Sequence, residues 1–324
     1  MTNMTDRSGA PTPGPGLGVT HQPGEAPHGA DPVLLVSTEG AVRVLTLNRP
    51  QALNAFTTPL LGQLRHALDD AAADTSIRAV LITGAGRAFC AGQDLNDPYI
   101  KPEFEPEVAP SAGASTAPTT PTAPTAPTTP TAPPRRPKPK DIGHLLDHYY
   151  IPLALRLRSM PVPTICAVNG VAAGAGANFA LGCDLVMAGR SASFIQAFSR
   201  IGLVPDCGGT WLLTRLVGRA RAMQLTLLGE KLPAEQAQQW GLIARCVPDE
   251  ELASAAMAMA QQLAGMPTRA LVQTRAALDE AMHLELEDAL RLEARLQSQL
   301  GYAHDYLEGA AAFLDKRTPQ FKDR

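Results

Sequence analysis

Residues 164–188 read TICAVNGVAAGAGANFALGCDLVMA, and this stretch decides the fold class. TICAV (164–168) is a short apolar run of strand length. A Gly/Ala-rich turn follows, then a helical segment over 174–182, then a second apolar strand, DLVMA (184–188). Strand, turn, helix and strand in such close succession predict an α/β core in which helices cover a sheet.

The same alternation extends in both directions. VRVLTL (42–47) alternates apolar and polar residues as a half-buried strand does. A helix over about 57–73 places Leu60, Leu61, Leu64 and Leu68 at helical spacing. AVLIT (79–83) is a short apolar strand that runs into Gly84-Ala85-Gly86, and a helix over 141–159 leads back to residue 164. Downstream, helices are expected near 191–200, 208–217, 219–228 and 233–240. An Ala/Leu-rich helical region over 250–316 reads as a packing or oligomerisation element.

Two segments stand apart. Residues 1–31 are rich in Gly, Pro, Thr and His, too poor in apolar surface to offset their ordering entropy. Residues 102–140 carry APTTPTAPTAPTTPTAPP and then RRPKPK, a proline density that leaves only extended, solvated chain. The expected organisation is a disordered tail (1–31), a catalytic core (32–250) interrupted by the Pro/Thr-rich insertion (102–140), and a C-terminal helical region (251–324).

Composition excludes several classes. The 324 residues are 45% hydrophobic and 18% charged, with net charge -3, which argues against a nucleic-acid or membrane-surface protein. No apolar run approaches the roughly 20 residues that span a bilayer. No secretory pattern opens the chain, so a cytoplasmic location is expected. Cys90, Cys166, Cys183, Cys207 and Cys246 are scattered, without a CxxC pair, and read as reduced buried thiols.

Weak motifs carry little. Gly84-Ala85-Gly86 lacks the third glycine and the distal acid of a dinucleotide site. His144 and His148 have metal-ligand spacing but no intervening glutamate and no second pair, so no metal is expected. Two glycine turns say more: AFCAGQDL (88–95) and NGVAAGAGA (169–177), each placed after a strand. Such turns let backbone approach a ligand and aim free N–H groups at it, as stabilisation of an oxyanion requires.

Four segments together are recognisable: Asn48-Arg49-Pro50 with Leu53-Asn54-Ala55, then AFCAGQDL, then AVNGVAAGAGANFALGCDLVMA, then FSRIGLVPDCGGTWLLTRLVGRARA. In this order and spacing they resemble the enoyl-CoA hydratase/isomerase (crotonase) family, over about residues 33–100 and 141–324. The resemblance implies a spiral of β-β-α units with a C-terminal helical oligomerisation region, assembled as a homotrimer or dimer of trimers. It implies an acyl-CoA substrate, no cofactor beyond the coenzyme A of that substrate, and an oxyanion hole from the N–H groups of Ala91 and Ala175. Coenzyme A is then expected against Arg49, Ala52, Leu53, Ala91, Gln93, Asp94 and Leu95, with Phe313 and Lys316 helping across a subunit interface. Within the family, GQDLND (92–97), GLVPDCGGTWLL (202–213) and AFLDKRTPQF (312–321) are most similar to the isomerases that act on ring-1,2-epoxyphenylacetyl-CoA in phenylacetate degradation.

The resemblance places the two water-activating glutamates of family hydratases at Asn178 and Phe198, and neither residue can exchange a proton. Asp206 occupies the position where isomerase-type members carry an acid. Apolar neighbours should raise its pKa while the following helix N-terminus lowers it. The plain reading of Asp206 is an N-cap. The functional one is an acid/base that moves a proton along an acyl thioester through an enolate. Tyr150, Phe198 and Trp211 are expected around an aromatic acyl group or in the ordinary core. The alternatives are an enoyl-CoA hydratase, an aryl-CoA dehalogenase with Asp206 as nucleophile, and a non-catalytic acyl-CoA-binding scaffold.

Overall fold

The computed structural model describes residues 32–104 and 137–324; the N-terminal tail and most of the Pro/Thr-rich insertion lie outside them. Strands come in pairs, and the chain turns a corner between the members of a pair. β1 (Leu34–Glu39) and β2 (Val42–Leu47) form an antiparallel hairpin, followed by helix α1 (Thr58–Ala73). Then β3 (Ala79–Gly84) turns into β4 (Ala88–Cys90). The next helical stretch comprises α2 (Gly143–Leu145), a π-helical turn (Leu146–Tyr150) and α3 (Ile151–Arg158). β5 (Thr164–Val168) and β6 (Val171–Ala173) precede α4 (Ala175–Leu181). β7 (Leu185–Gly189) and β8 (Ser193–Ile195) precede α5 (Gly209–Leu228).

This β-β-α repetition builds two sheets. The first strand of each later pair joins a six-stranded sheet of order β1-β2-β3-β5-β7-β10, and the second joins a four-stranded sheet of order β4-β6-β8-β9. β9 (Lys231–Pro233), α6 (Ala234–Gln239) and β10 (Arg245–Val247) complete them. The corners are tight: a side chain on Gly170, between β5 and β6, would overlap the Arg87 carbonyl at the neighbouring corner.

The main core fills the space between the sheets and helices α1, α3, α4 and α5. α1 buries Leu60, Leu61, Leu64 and Leu68 there, each worth roughly 1.5–3 kcal/mol. The other face of the six-stranded sheet is covered by α7 (Leu252–Ala264), which sets Leu252, Ala256 and Ala260 against Val42, Ile165 and Met187. Three helices follow: α8 (Thr268–Ala281), α9 (Leu286–Gly301) and α10 (His304–Leu314). Arg275 of α8 is paired with Asp184 at 2.9 Å, and terminal Arg324 donates to the carbonyls of Ala71 and Ala72 at the end of α1.

One expectation changes. Residues 191–200 are not one helix: Ser193–Ile195 pairs with β6 and β9, and a 3-10 turn follows over Ala197–Ile201. A short apolar run cannot choose between helix and strand, and cross-strand partners decided it. Gly218 (φ 75°, ψ 163°) breaks α5 where the separate helices 208–217 and 219–228 were expected to meet. The ends of the Pro/Thr-rich insertion are close together. Phe104 bridges Pro137 in antiparallel fashion, and the Lys138 N–H donates to Glu103 O at 2.7 Å.

Candidate active site

The turn after β2 starts the site. Leu53 and Asn54 both adopt left-handed φ, 50° and 55°, which reverses the chain within two residues. Asn54 tolerates this conformation because its buried amide is fully employed. Its Oδ1 accepts from the Arg49 N–H at 2.8 Å, and its Nδ2 donates to Ala85 O and Ala88 O at 2.9 and 2.8 Å. The turn is thereby fastened to the corner between β3 and β4.

The loop after β4 is laid against this turn in register. The Phe56 N–H donates to Gly92 O at 2.7 Å and the Asp94 N–H to Phe56 O at 2.8 Å, a parallel bridge centred on Gln93. In such a bridge the central residue's own N–H points away from the partner strand. Gln93 is therefore the residue whose donor faces outward. Ala91 is not: its N–H donates to Leu53 O at 3.0 Å. The expectation of an Ala91 donor is corrected on that ground, since an amide already committed to a carbonyl cannot be aimed at a thioester.

The second glycine turn meets the first. Gly92 has φ 92°, and a Cβ on it would lie 2.9 Å from Ala173 O and 3.7 Å from Ala175 N. Ala175 is the first residue of α4, so its N–H has no intrahelical acceptor. Neither the Gln93 nor the Ala175 N–H takes part in the backbone hydrogen bonds among the described residues. The Gln93 donor, next to Gly92 in the chain, and the Ala175 donor thus belong to two turns that meet at Gly92.

Asp206 sits in the turn before α5. It does not cap the helix: the N-cap is Gly208, with no side-chain cap bond. The Asp206 carbonyl accepts from Gly209 N–H at 2.8 Å and from Asn178 Nδ2 at 2.9 Å, while its Oδ1 is buried without a partner. Burial raises the carboxyl to about 6, opposed by a hydrogen bond from its own backbone N–H. Cys207 and Gly208 take left-handed φ, 48° and 81°. Leu203 and Val204, just before Asp206 in the chain, are exposed, so its burial comes from elsewhere in the fold.

The aromatic residues divide. Tyr150 is buried, and its Oη donates to Gln93 Oε1 at 2.6 Å. It borders an apolar cavity of about 170 Å³ with Ile151, Ala154, Cys207 and Gly208. Burial first, then the charge on Asp206, holds its phenol well above the usual range. Phe198 packs on the Gly174 turn. Trp211 lies under the Arg215 guanidinium at 4.1 Å, in a second cavity of about 290 Å³ that shares Ala154, Leu155, Cys207 and Gly208 with the first.

The candidate coenzyme contacts also divide. Ala52 and Leu53 are half-buried on the first turn and Leu95 is exposed beside it. Arg49 is not an unengaged cation. Its guanidinium is paired with Asp94 at 2.9 Å and donates to Ala55 O at 2.5 Å, which makes it a clamp between the turn and the AGQDL loop. Phe313 lies in the last turn of α10, which packs on α9, and is 84% exposed; Lys316 follows that helix with a left-handed φ of 53°. Asp97, missed in the sequence, is buried and caps α1 by accepting from Thr58 N–H at 2.7 Å. A D-x-x-x pattern before a helix would not reveal it, because it caps a helix 39 residues earlier.

The weaker motifs take ordinary roles. Gly84-Ala85-Gly86 is a strand-to-strand corner with no helix behind it, unlike a dinucleotide turn. His144 and His148 are exposed on the α2 and π-helical turns, where His148 Nδ1 meets His144 O at 2.7 Å. Cys90, Cys166, Cys183 and Cys207 are buried free thiols.

The enoyl-CoA hydratase/isomerase family profiles match residues 143–324 and 42–107. The chain is 46% identical over 288 residues to the 1,2-epoxyphenylacetyl-CoA isomerase of Escherichia coli K12, covering 89% of this chain and 97% of that protein. It is 38% identical over 291 residues to the 2,3-dehydroadipyl-CoA hydratase of the same organism, covering 90% and 99%. Among solved structures, the enoyl-CoA hydratase of Bacillus anthracis superposes with a TM-score of 0.73 at 27% identity, over 90% of this chain and all of that one. With the paired-strand spiral, the meeting of two glycine turns and these matches, the chain belongs to the enoyl-CoA hydratase/isomerase family.

Proposed function

We propose that this chain is an acyl-CoA isomerase that moves a proton between two carbons of the acyl group through an enolate, with Asp206 as acid and base. The observation that carries this reading is the Asp206 carboxyl: buried, raised to about 6, with Oδ1 unpartnered. A base near neutrality can both take and return a proton. In this reading the thioester oxygen accepts from the N–H groups of Gln93 and Ala175, and each donor is worth roughly 3–4 kcal/mol to the enolate. Asp206 removes the α-proton, and the resulting carboxylic acid returns it two carbons away.

The substrate we propose is ring-1,2-epoxyphenylacetyl-CoA, opened to the seven-membered oxepin thioester, with β,γ- to α,β-enoyl-CoA isomerisation as the simpler form of the same shift. The likeness to the Escherichia coli isomerase supports the first. So does the cavity of about 170 Å³ beside Tyr150, since an apolar cavity of about 150 Å³ accommodates benzene. The chemistry consumes no cofactor and calls for no metal.

Water addition is the second reading, favoured by the likeness to the dehydroadipyl-CoA hydratase. Asn178 and Phe198 weigh against it, because neither can activate water. We further propose that the exposed apolar residues of α8 to α10, Leu278, Leu286, Tyr302 and Phe313 among them, assemble trimers. Phe313 and Lys316 would then reach the coenzyme of a neighbouring copy.

The test is a product assay by mass and absorbance on a panel of acyl-CoAs that includes the aryl epoxide, β,γ-enoyl and α,β-enoyl thioesters. Isomerised product of unchanged mass is expected. A mass gain of one water as the dominant outcome would overturn the isomerase reading in favour of the hydratase.

A further inference from the structure

Asn178 is wholly buried on α4, at a position that composition alone would assign to packing. Its amide makes two directed bonds. Nδ2 donates to the Asp206 carbonyl at 2.9 Å, and Oδ1 accepts from Gln196 Nε2 at 2.8 Å. The direction of this relay is fixed from one end. A carbonyl only accepts, so Asn178 must present its NH2 to Asp206 and its oxygen to Gln196. Gln196 must then present its own NH2, which leaves Gln196 Oε1 buried without a partner. An unsatisfied buried acceptor is costly, and the fold retains one here to keep the relay oriented.

Gly209 adds an independent observation. A Cβ at that position would overlap the Asn178 amide, so the glycine leaves room for this side chain to reach the turn. The turn itself needs holding, because Cys207, a residue with a side chain, stands at φ 48°. Moreover Asn178 shares α4 with Ala175, three residues earlier and about 4.5 Å along the axis.

We propose that Asn178, oriented by Gln196, is a positioning residue that locks the Asp206 turn to the helix carrying the Ala175 N–H. The base and one oxyanion donor are then spaced by a single rigid helix turn. This inference rests on the reading of Asp206 as the proton carrier. It explains why an amide stands where a hydratase would have its acid: a carboxylate at 178 could not donate to the Asp206 carbonyl.

The groups around Asp206 do not obscure its titration. Tyr150 from the π-helical turn and Cys207 beside it are both shifted upward by burial, so they stay neutral through the working range. Freed from the lock, the Asp206 carboxyl would reach water and titrate nearer an ordinary aspartate.

The experiment measures kcat and KM against pH for trans-3-hexenoyl-CoA isomerisation with wild type, Asn178→Leu, Gln196→Leu and Asp206→Asn. For Asn178→Leu, kcat should fall about ten-fold or more with KM changed less than about three-fold. The acidic limb of its kcat profile should move from the wild-type position toward the ordinary aspartate value of about 4. Gln196→Leu should move the limb the same way by less, and it carries the test should Asn178→Leu fail to fold. A limb that stays at the wild-type pH in the folded variants overturns the lock, even if kcat falls, because a merely structural role lowers activity without changing the carboxyl's environment. If Asp206→Asn retains turnover, or wild type has none, the functional reading itself fails. If Asp206→Asn is inactive and the limb is unmoved in the others, the lock alone is wrong.

Discussion

Arg49 and Asp94, 45 residues apart, meet as a half-buried ion pair at 2.9 Å, and this pair closes the β2 turn onto the loop that bears Gln93. Burial works to raise Asp94, but hydrogen bonds from the Arg49 guanidinium and the Asn96 N–H more than offset it and hold the carboxyl below its usual range. The pair therefore positions a backbone donor.

Replacing Arg49 with Met should destabilise the fold by about 2 kcal/mol, the scale of a hydrogen bond to a charged group left unmade. Because the folded Asp94 pKa is depressed, its contribution is present above the ordinary aspartate value of about 4 and is lost as pH falls through the lower folded value. Urea denaturation at pH 7 and pH 3 should show the difference between wild type and Arg49→Met at the higher pH and a smaller one at the lower.

Asp206→Asn should abolish turnover while stabilising the protein above pH 6. Its carboxyl is raised from 3.8 to about 6 in the fold, so folding takes up a proton between these values. Stability from this group is complete below the unfolded pKa and falls as pH rises through the folded one, by an order of about 1–3 kcal/mol. Thermal unfolding at pH 8 should place Asp206→Asn above wild type, with the two converging near pH 4. In wild type, kcat/KM should rise through about pH 6 as the base ionises.

Gly92→Ala should lower kcat by about 10- to 100-fold with a smaller effect on stability. Its φ of 92° and the approach to Ala173 O leave no room for Cβ, and a displacement of a few tenths of an ångström where the two turns meet misdirects both donors. Steady-state kinetics would check this, and wild-type turnover would show that the meeting point tolerates a methyl group.

Excising residues 105–136 and joining Phe104 to Pro137 through Asn-Gly should leave the melting temperature within about 2 °C, because the flanking residues already pair as a hairpin end. Kinetics of the same variant separate a spacer from a gate: unchanged kcat/KM is expected, and a fall in kcat with a rise in KM would assign the insertion a part in substrate entry.

Sequence by itself determined the alternation of strands and helices over 42–47, 57–73, 79–83 and 164–188, the two glycine turns, and the residue types at 178, 198 and 206, an amide, a phenyl ring and a carboxyl. These are local matters: side-chain periodicity, backbone permissiveness and residue chemistry are present in the chain before it folds. Only the tertiary structure decided that Gln93 rather than Ala91 presents its N–H, because the Leu53 carbonyl that engages Ala91 comes from a turn 38 residues earlier in the chain. It likewise decided that Arg49 serves Asp94, that 193–195 is a strand, and that Asn178 grips the Asp206 turn. Each depends on a partner distant in sequence, and hydrogen bonds are chosen by who arrives within about 3 Å, which no local pattern records.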